Sequence, residues 1–187
     1  MKTESTAKFV IRLAITLLAI TGVVAACLAG VNSITSPAIA NLTADKTQKA
    51  IEAVLPGGGE EMTDLPGVDF EGANLVSKVY KGDAGYAIEV TPVGFDNTIT
   101  MMVGTDNAGN VLGIDIIKHT ETAGLGAVSA AGTPAGEAFR GQFVGTNGTV
   151  AVTKDGGEMD AITGATITSR AVCAGVNAAL ACAATLG

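Results

Sequence analysis

One long apolar stretch opens the chain, several short ones follow, and the two kinds differ in period. From Leu13 to Val31 the sequence reads LAITLLAITGVVAACLAGV, and no charged residue occurs between Arg12 and Asp45. About twenty consecutive apolar residues are what a helix needs to cross the hydrocarbon core of a bilayer. The pattern predicts one spanning helix over roughly 9–31, with Arg12 snorkelling to the near interface. Ser36–Pro37 then offers an N-cap followed by proline at the first helical position. Ile39, Leu42, Ile51, Val54 and Leu55 recur at about helical spacing. Residues 32–60 are therefore expected to form a juxtamembrane helix and a linker, with PGGGEE (56–61) stopping the helix.

Beyond that point the period falls to two. NLVSKVYKG (74–82), GYAIEVTPV (85–93), NTITMMVGT (97–105) and NVLGIDIIK (110–118) each read as a strand. In the second, Tyr86, Ile88 and Val90 alternate with Ala87, Glu89 and Thr91; in the fourth, Leu112, Ile114 and Ile116 alternate with Val111, Gly113 and Asp115. Asp96–Asn97 and Asp106–Gly109 supply turns between the runs. Short strands on tight turns predict an antiparallel meander with one face on a core and one face wet. A long small-residue loop from Glu121 follows, with a short helix near Pro134–Phe143, a strand GTVAVTK (148–154), and a last, Ala-rich helix from about Thr166 to Thr185. The expected fold is α+β: one N-terminal transmembrane helix, then an antiparallel-sheet domain over 61–187 closed by a C-terminal helix.

Charge orients this arrangement. Lys2, Lys8 and Arg12 precede the span, and the first positive residue after it is Lys46. The positive-inside tendency puts residues 1–8 in the cytoplasm and the main domain outside, on a single-pass chain in the cell (inner) membrane. A cleaved signal peptide, a lipoprotein signal ending in VAAC at Cys27 and a pilin-type N-terminus compete with this reading; the last wants an early Glu that is missing here. An uncleaved anchor is the preferred one. The formal net charge of −7 argues against nucleic acid as a partner. Three scattered cysteines and one histidine, His119, make neither a zinc nor an iron–sulfur pattern, so no metal is expected. Cys173 and Cys182 stand nine residues apart on the last helix, on opposite faces, and are not expected to pair.

Two stretches can carry chemistry. In DAITGAT, Asp160 to Thr166, Gly164 and Ala165 let the backbone lie close to a bulky group. A helix that begins there presents unpaired N–H groups and the positive end of its dipole, which suits a phosphate. A threonine hydroxyl at that place can be esterified, although plain capping by Thr163 also explains part of the pattern. In KHTETAGLGA, Lys118 to Ala127, Glu121 and Thr122 precede Gly124-Leu125-Gly126 at the end of the strongest strand. A carboxylate, a hydroxyl and close-approach glycines suit a flat polar heterocycle, and equally an ordinary turn. Gly57–Gly59 lacks the Lys-Ser/Thr of a phosphate loop and reads as a connector.

Here the residues resemble a family. DAITGAT is similar to the Asp-x-x-Ser/Thr-Gly-Ala-Thr signature at which FMN is esterified through its phosphate. HTETAGLG (119–126) is similar to a His-x-Glu-Thr-Pro-Gly-Leu-Gly loop of the same proteins. With an AVLPG break at 53–57 and Gln142–Phe143 between the two motifs, the order resembles that of the RnfG family, the G subunits of the Rnf electron-transport complex. The C subunit of the sodium-pumping NADH:quinone reductase shares both motifs.

The resemblance implies that Thr166 carries FMN as a phosphoester, installed outside the membrane by a separate flavin transferase that uses FAD. It implies that Asp160, Thr163, Gly164 and Ala165 form the signature around it, and that Glu121, Thr122, Gly124 and Leu125 line the flavin. The implied function is that of an electron-relay subunit. Its complex, completed by other membrane and peripheral subunits, couples electron transfer between ferredoxin and NAD to movement of Na⁺ or H⁺. The chain itself offers no complete active site and no catalytic residue, and His119 is expected to be structural or to line a rim. Two departures stand out: Ala123 replaces proline, and GFDN (94–97) replaces a Gly-Tyr/Phe-Gly-Gly turn. Two alternatives belong to other classes: a membrane-anchored flavin carrier of another respiratory chain, of the quinone-reductase type or serving extracellular electron transfer, and a non-catalytic binding module whose threonines only cap a helix.

Overall fold

The structure, a computed structural model, describes residues 6–63 and 72–186. Residues 1–5 of the expected cytoplasmic segment, Lys2 among them, lie outside the described residues, as do 64–71 and 187 of the expected FMN-binding domain. The chain divides into two compact units, Met1–Asp45 and Lys46–Gly187.

The first unit is helical throughout its described part and belongs to helix α1, Thr6–Val54. From Phe9 to Leu42 every large apolar side chain is more than half exposed. A helix that is apolar all round needs a nonpolar surrounding rather than one packed face. With a mean hydropathy of 2.3 in its most apolar stretch, α1 is long and apolar enough to span a bilayer. The new helix expected at Ser36–Pro37 does not form, because Pro37 lies inside α1. Proline removes one backbone bond there, whereas a break would leave up to four unpaired groups on each new end. Nearby hydroxyls add bonds to the helix: Ser33 Oγ donates to Gly30 O at 2.8 Å and Thr35 Oγ1 to Val31 O at 2.9 Å. Continuity is the cheaper outcome, one bond lost against several.

The second unit holds an antiparallel sheet of order β1-β2-β3-β4-β5, formed by Glu60–Glu61, Val76–Gly82, Gly85–Val90, Thr100–Asp106 and Val111–Lys118. The four runs with period two all became strands, and the two-residue β1 pairs with Lys81 and Tyr80 of β2. Helix α2 covers Pro134–Gly141, capped by the Thr133 hydroxyl, which accepts the Gly136 N–H at 3.3 Å. Helix α3, Thr166–Leu186, lies across one face of the sheet. Val79, Ile88, Met101, Val103 and Ile114 face it and pack with Val172, Val176 and Ala179.

The other face is not wet, as the alternation suggested. Tyr80, Ala87 and Met102 form a second, smaller core with Ala50, Ile51, Val54 and Leu55. The end of α1 from Lys46 onward covers them. Gly104 makes this approach possible, since a Cβ there would stand 2.0 Å from Val54 O. Burial on both faces also explains why β3 is apolar almost throughout, and its alternation correspondingly weak.

The strand expected at 148–154 is absent. One isolated bridge joins Val152 to Met159, and Thr153–Asp155 is a 3₁₀ turn. The backbone of Val150 bonds instead to the Asn177 side chain of α3, donating to Oδ1 at 2.8 Å and accepting from Nδ2 at 2.9 Å. Cys173 and Cys182 are both buried in the main core and both free, because α3 is enclosed round most of its circumference. Burial pushes each thiol up to about 11. Gly104→Val should push the end of α1 off the sheet. The loss expected is about 1–3 kcal/mol of stability from overpacking, read as a lower urea midpoint in a circular-dichroism titration.

Candidate functional site

The site forms where three loops meet the first turn of α3. β5 ends at Lys118, and the chain then turns back on itself: Leu125 and Ala127 both donate their N–H to Thr122 O, at 3.1 and 3.2 Å. This brings Glu121 inward, where it is 7% exposed. Its Oε1 accepts the Phe95 N–H at 2.9 Å, and its Oε2 accepts the Thr168 hydroxyl. One buried carboxylate thereby ties the 94–97 turn, the β5 exit loop and α3 together. A buried carboxylate requires such partners, because its desolvation is otherwise uncompensated.

The entry to α3 is fixed by Ser169, which is fully buried. Its hydroxyl donates to Ala165 O at 3.0 Å and accepts the Ile162 N–H at 3.0 Å. The lock on the 162–165 turn is therefore a residue inside the helix and not Thr163, which is exposed. Gly164 precedes the helix with φ of +77°, and a Cβ there would approach Leu125 Cδ2 to 2.9 Å. Glycine satisfies both the left-handed backbone and the close approach of the two loops. The first intrahelical bond runs from Ser169 N–H to Ala165 O, so the amides of Thr166, Ile167 and Thr168 head the helix without intrahelical partners.

Thr166 itself is half-buried, and its hydroxyl accepts from Lys154 Nζ at 3.3 Å. The neighbouring Asp155 holds Arg170 in a two-pronged ion pair with both contacts at 2.6 Å. This pairing keeps the Asp155 carboxyl below its usual range, chiefly through the Arg170 hydrogen bonds. The pair ties the 153–155 turn to α3.

These elements enclose a cavity of about 280 Å³, lined among others by Phe95, Glu121, Thr122, Leu125, Lys154, Gly164, Ala165, Thr166 and Ile167. Six of the nine residues expected at a binding site are thus brought together: Thr166, Gly164, Ala165, Glu121, Thr122 and Leu125. The other three, Asp160, Thr163 and Gly124, line an adjoining depression with Gln142 and Phe139. Gln142 pins that side by accepting the Asp160 N–H at 2.7 Å and donating to Asp160 O at 3.3 Å. His119 lies apart from the cavity lining, with a buried Nδ1 that has no hydrogen-bond partner among the described residues. Sequence reasoning missed Phe95, Lys154, Ile167 and Thr168. The GFDN turn, a departure from the pattern, still delivers a backbone donor and an aromatic ring.

The cavity has two chemistries. At one end a hydroxyl, helix-terminal amides and an ammonium converge, a donor set for a phosphoryl group. Around the mouth stand Phe95, Leu125 and Ile167, exposed by 66, 42 and 49%, an apolar rim for a flat ring. The FMN-binding domain family matches residues 94–181, a stretch that holds both the loop after β5 and the entry to α3. The G subunit of the ion-translocating oxidoreductase complex of Methanosarcina acetivorans is 34% identical over 177 residues, 90% of this chain and 91% of that protein. The corresponding protein of Photorhabdus laumondii is 34% identical over 76% of this chain and 75% of its own. The G subunit of the Na⁺-translocating ferredoxin:NAD⁺ oxidoreductase complex of Acetobacterium woodii is 33% identical, covering 91 and 89% of the two chains. The chain belongs to the family of G subunits of ion-translocating oxidoreductase complexes.

Glu121→Ala should strand the Phe95 N–H and the Thr168 hydroxyl. We expect a loss of about 1–3 kcal/mol for each group left unpaired, measured by chemical denaturation. The Asp155–Arg170 pair carries a pH signature. Asp155 has a depressed folded-state value, so its contribution is present above the ordinary carboxylate value and fades as pH falls through the folded one. The urea midpoint of Asp155→Asn should lie below wild type at pH 7. The two should converge only as the pH falls below the depressed folded-state value of Asp155, which lies under the unfolded value of about 3.9.

Proposed function

We propose that this chain is a membrane-anchored electron-relay subunit whose FMN is esterified to Thr166. The observation that carries the reading is the Thr166 hydroxyl, which opens into the cavity at the head of α3 beside Lys154 and opposite Glu121, Thr122 and Leu125. FMN supplies one- and two-electron redox chemistry when bound. The chain's own residues attach, orient and shield it. The amides of Thr166, Ile167 and Thr168 would face the phosphoryl oxygens with the positive end of the helix dipole behind them. Phe95, Leu125 and Ile167 would cover the ring and keep water from it, and the Thr122 hydroxyl would meet its polar edge. Glu121 keeps these walls in place. Asp160 and Thr163 belong to the outer side of the signature, with Gly124 of the 119–126 loop beside them in the adjoining depression, where a flavin transferase using FAD would grip the acceptor.

The span over 9–31, with Lys8 and Arg12 at its near end, is read with its N-terminus in the cytoplasm and the sheet domain outside the cell membrane. A covalent tether suits that side, where a dissociated flavin would be lost. The relatives' names add the setting. Partner subunits, both membrane and peripheral, would supply electron exchange between ferredoxin and NAD⁺ and the path for Na⁺ or H⁺. Residues 13–44 hold no charged group for an ion to use.

Denatured wild-type chain, produced together with its transferase, should fluoresce as a flavin band on a gel and carry the mass of FMN less one water. Thr166→Val should abolish both signals, while Thr163→Val keeps them at a reduced level. Covalent flavin on the Thr166→Val chain would overturn the assignment.

A further inference from the structure

We propose that Lys154 is the residue that holds the phosphoryl group at Thr166, both while the ester forms and after it exists. The inference rests on the attachment reading above and deepens it. Lys154 belongs to the 3₁₀ turn Thr153–Asp155, and its Nζ donates to Thr166 Oγ1 at 3.3 Å. Two cations, Lys154 and Arg170, thus sit beside the first turn of α3, which contains no acidic residue. That end of a helix already carries partial positive charge, so cations there are unfavourable unless an anion joins them.

Arg170 has its anion, since both its contacts go to the two oxygens of Asp155. Lys154 feels Asp155 only at longer range, and its one hydrogen bond goes to a neutral hydroxyl. A phosphoryl group on Thr166 supplies an anion in direct contact with it. The turn is also held in place: Thr153 donates its N–H to Met159 O at 2.9 Å and Asp155 its N–H to Val152 O at 2.8 Å. The ammonium is therefore presented from an ordered support, with only its own side chain left to adjust.

In the transfer, Thr166 Oγ forms a bond to the phosphorus on the riboflavin side of the FAD pyrophosphate. The bond from that phosphorus to the bridging oxygen breaks, and AMP leaves with the electron pair. The hydroxyl proton passes to a base of the transferase, and nothing is oxidised or reduced. Lys154 donates to a non-bridging oxygen of the attacked phosphorus, drawing the anion to the hydroxyl. It then pairs with the single negative charge of the finished diester.

The test uses the full chain in detergent with FAD and a flavin transferase, following incorporation by intact mass and the attached phosphorus by ³¹P NMR. Lys154→Gln should incorporate flavin roughly tenfold more slowly, the scale of one charge-assisted bond at an exposed site. Its ³¹P resonance should shift from wild type, and Lys154→Arg should recover most of the rate. An unchanged rate in Lys154→Gln overturns the role of Lys154 and leaves the ester at Thr166 standing. Slow incorporation with an unmoved resonance overturns it too, because Lys154 would then act on the fold and not on the phosphoryl group. Failure of wild type itself to take up flavin overturns the attachment reading beneath it.

Discussion

The site hangs on one buried carboxylate. Glu121 comes from the loop after β5, Phe95 from the turn before β4 and Thr168 from α3, and nothing in local sequence brings them together. Both carboxylate oxygens are engaged, so each loop is held by a bond whose loss would leave a polar group in an apolar surrounding. Gly164 and Leu125 can then touch across the gap, and the cavity has a floor. Without this tie the 94–97 turn and the 119–125 loop would be ordinary surface loops on a small sheet.

Much of the architecture was legible because its signals are local. The spanning segment declares itself by lack of charge, β2 to β5 by their alternation, and α3 by its Ala-rich run behind a Gly-Ala pair. Errors arose where the deciding partner is remote. GTVAVTK has strand-like composition, yet Asn177 takes the Val150 backbone groups that a neighbouring strand would have used. Ser36–Pro37 is a good start signal, and it is overruled because ending a helix costs more than one lost bond. The second face of the sheet looked solvated because the residues that cover it precede the sheet by a long stretch of chain.

The candidate site divides in the same way. Thr166, Gly164 and Ala165 were marked by a contiguous motif, and Glu121, Thr122 and Leu125 by another. Lys154 stands in neither. Its place beside Thr166 follows from the Val152–Met159 bridge and the Asp155–Arg170 pair, which fold the 153–155 turn back onto the helix. A lysine behind a threonine in a run that reads as a strand gives no hint of this. Phe95 lies in a turn that departs from the family pattern, although the contact it makes with Glu121 is through the backbone N–H, which any residue but proline could supply.

The two interior cysteines bear on where such a domain can live. Each thiol is shut away from solvent and would need strongly alkaline conditions to ionise. Ionisation is what makes sulfur a nucleophile, so neither one offers oxidants or foreign disulfides a foothold. Both thiols of this FMN-binding domain are free, and burial keeps them protonated on either side of a membrane.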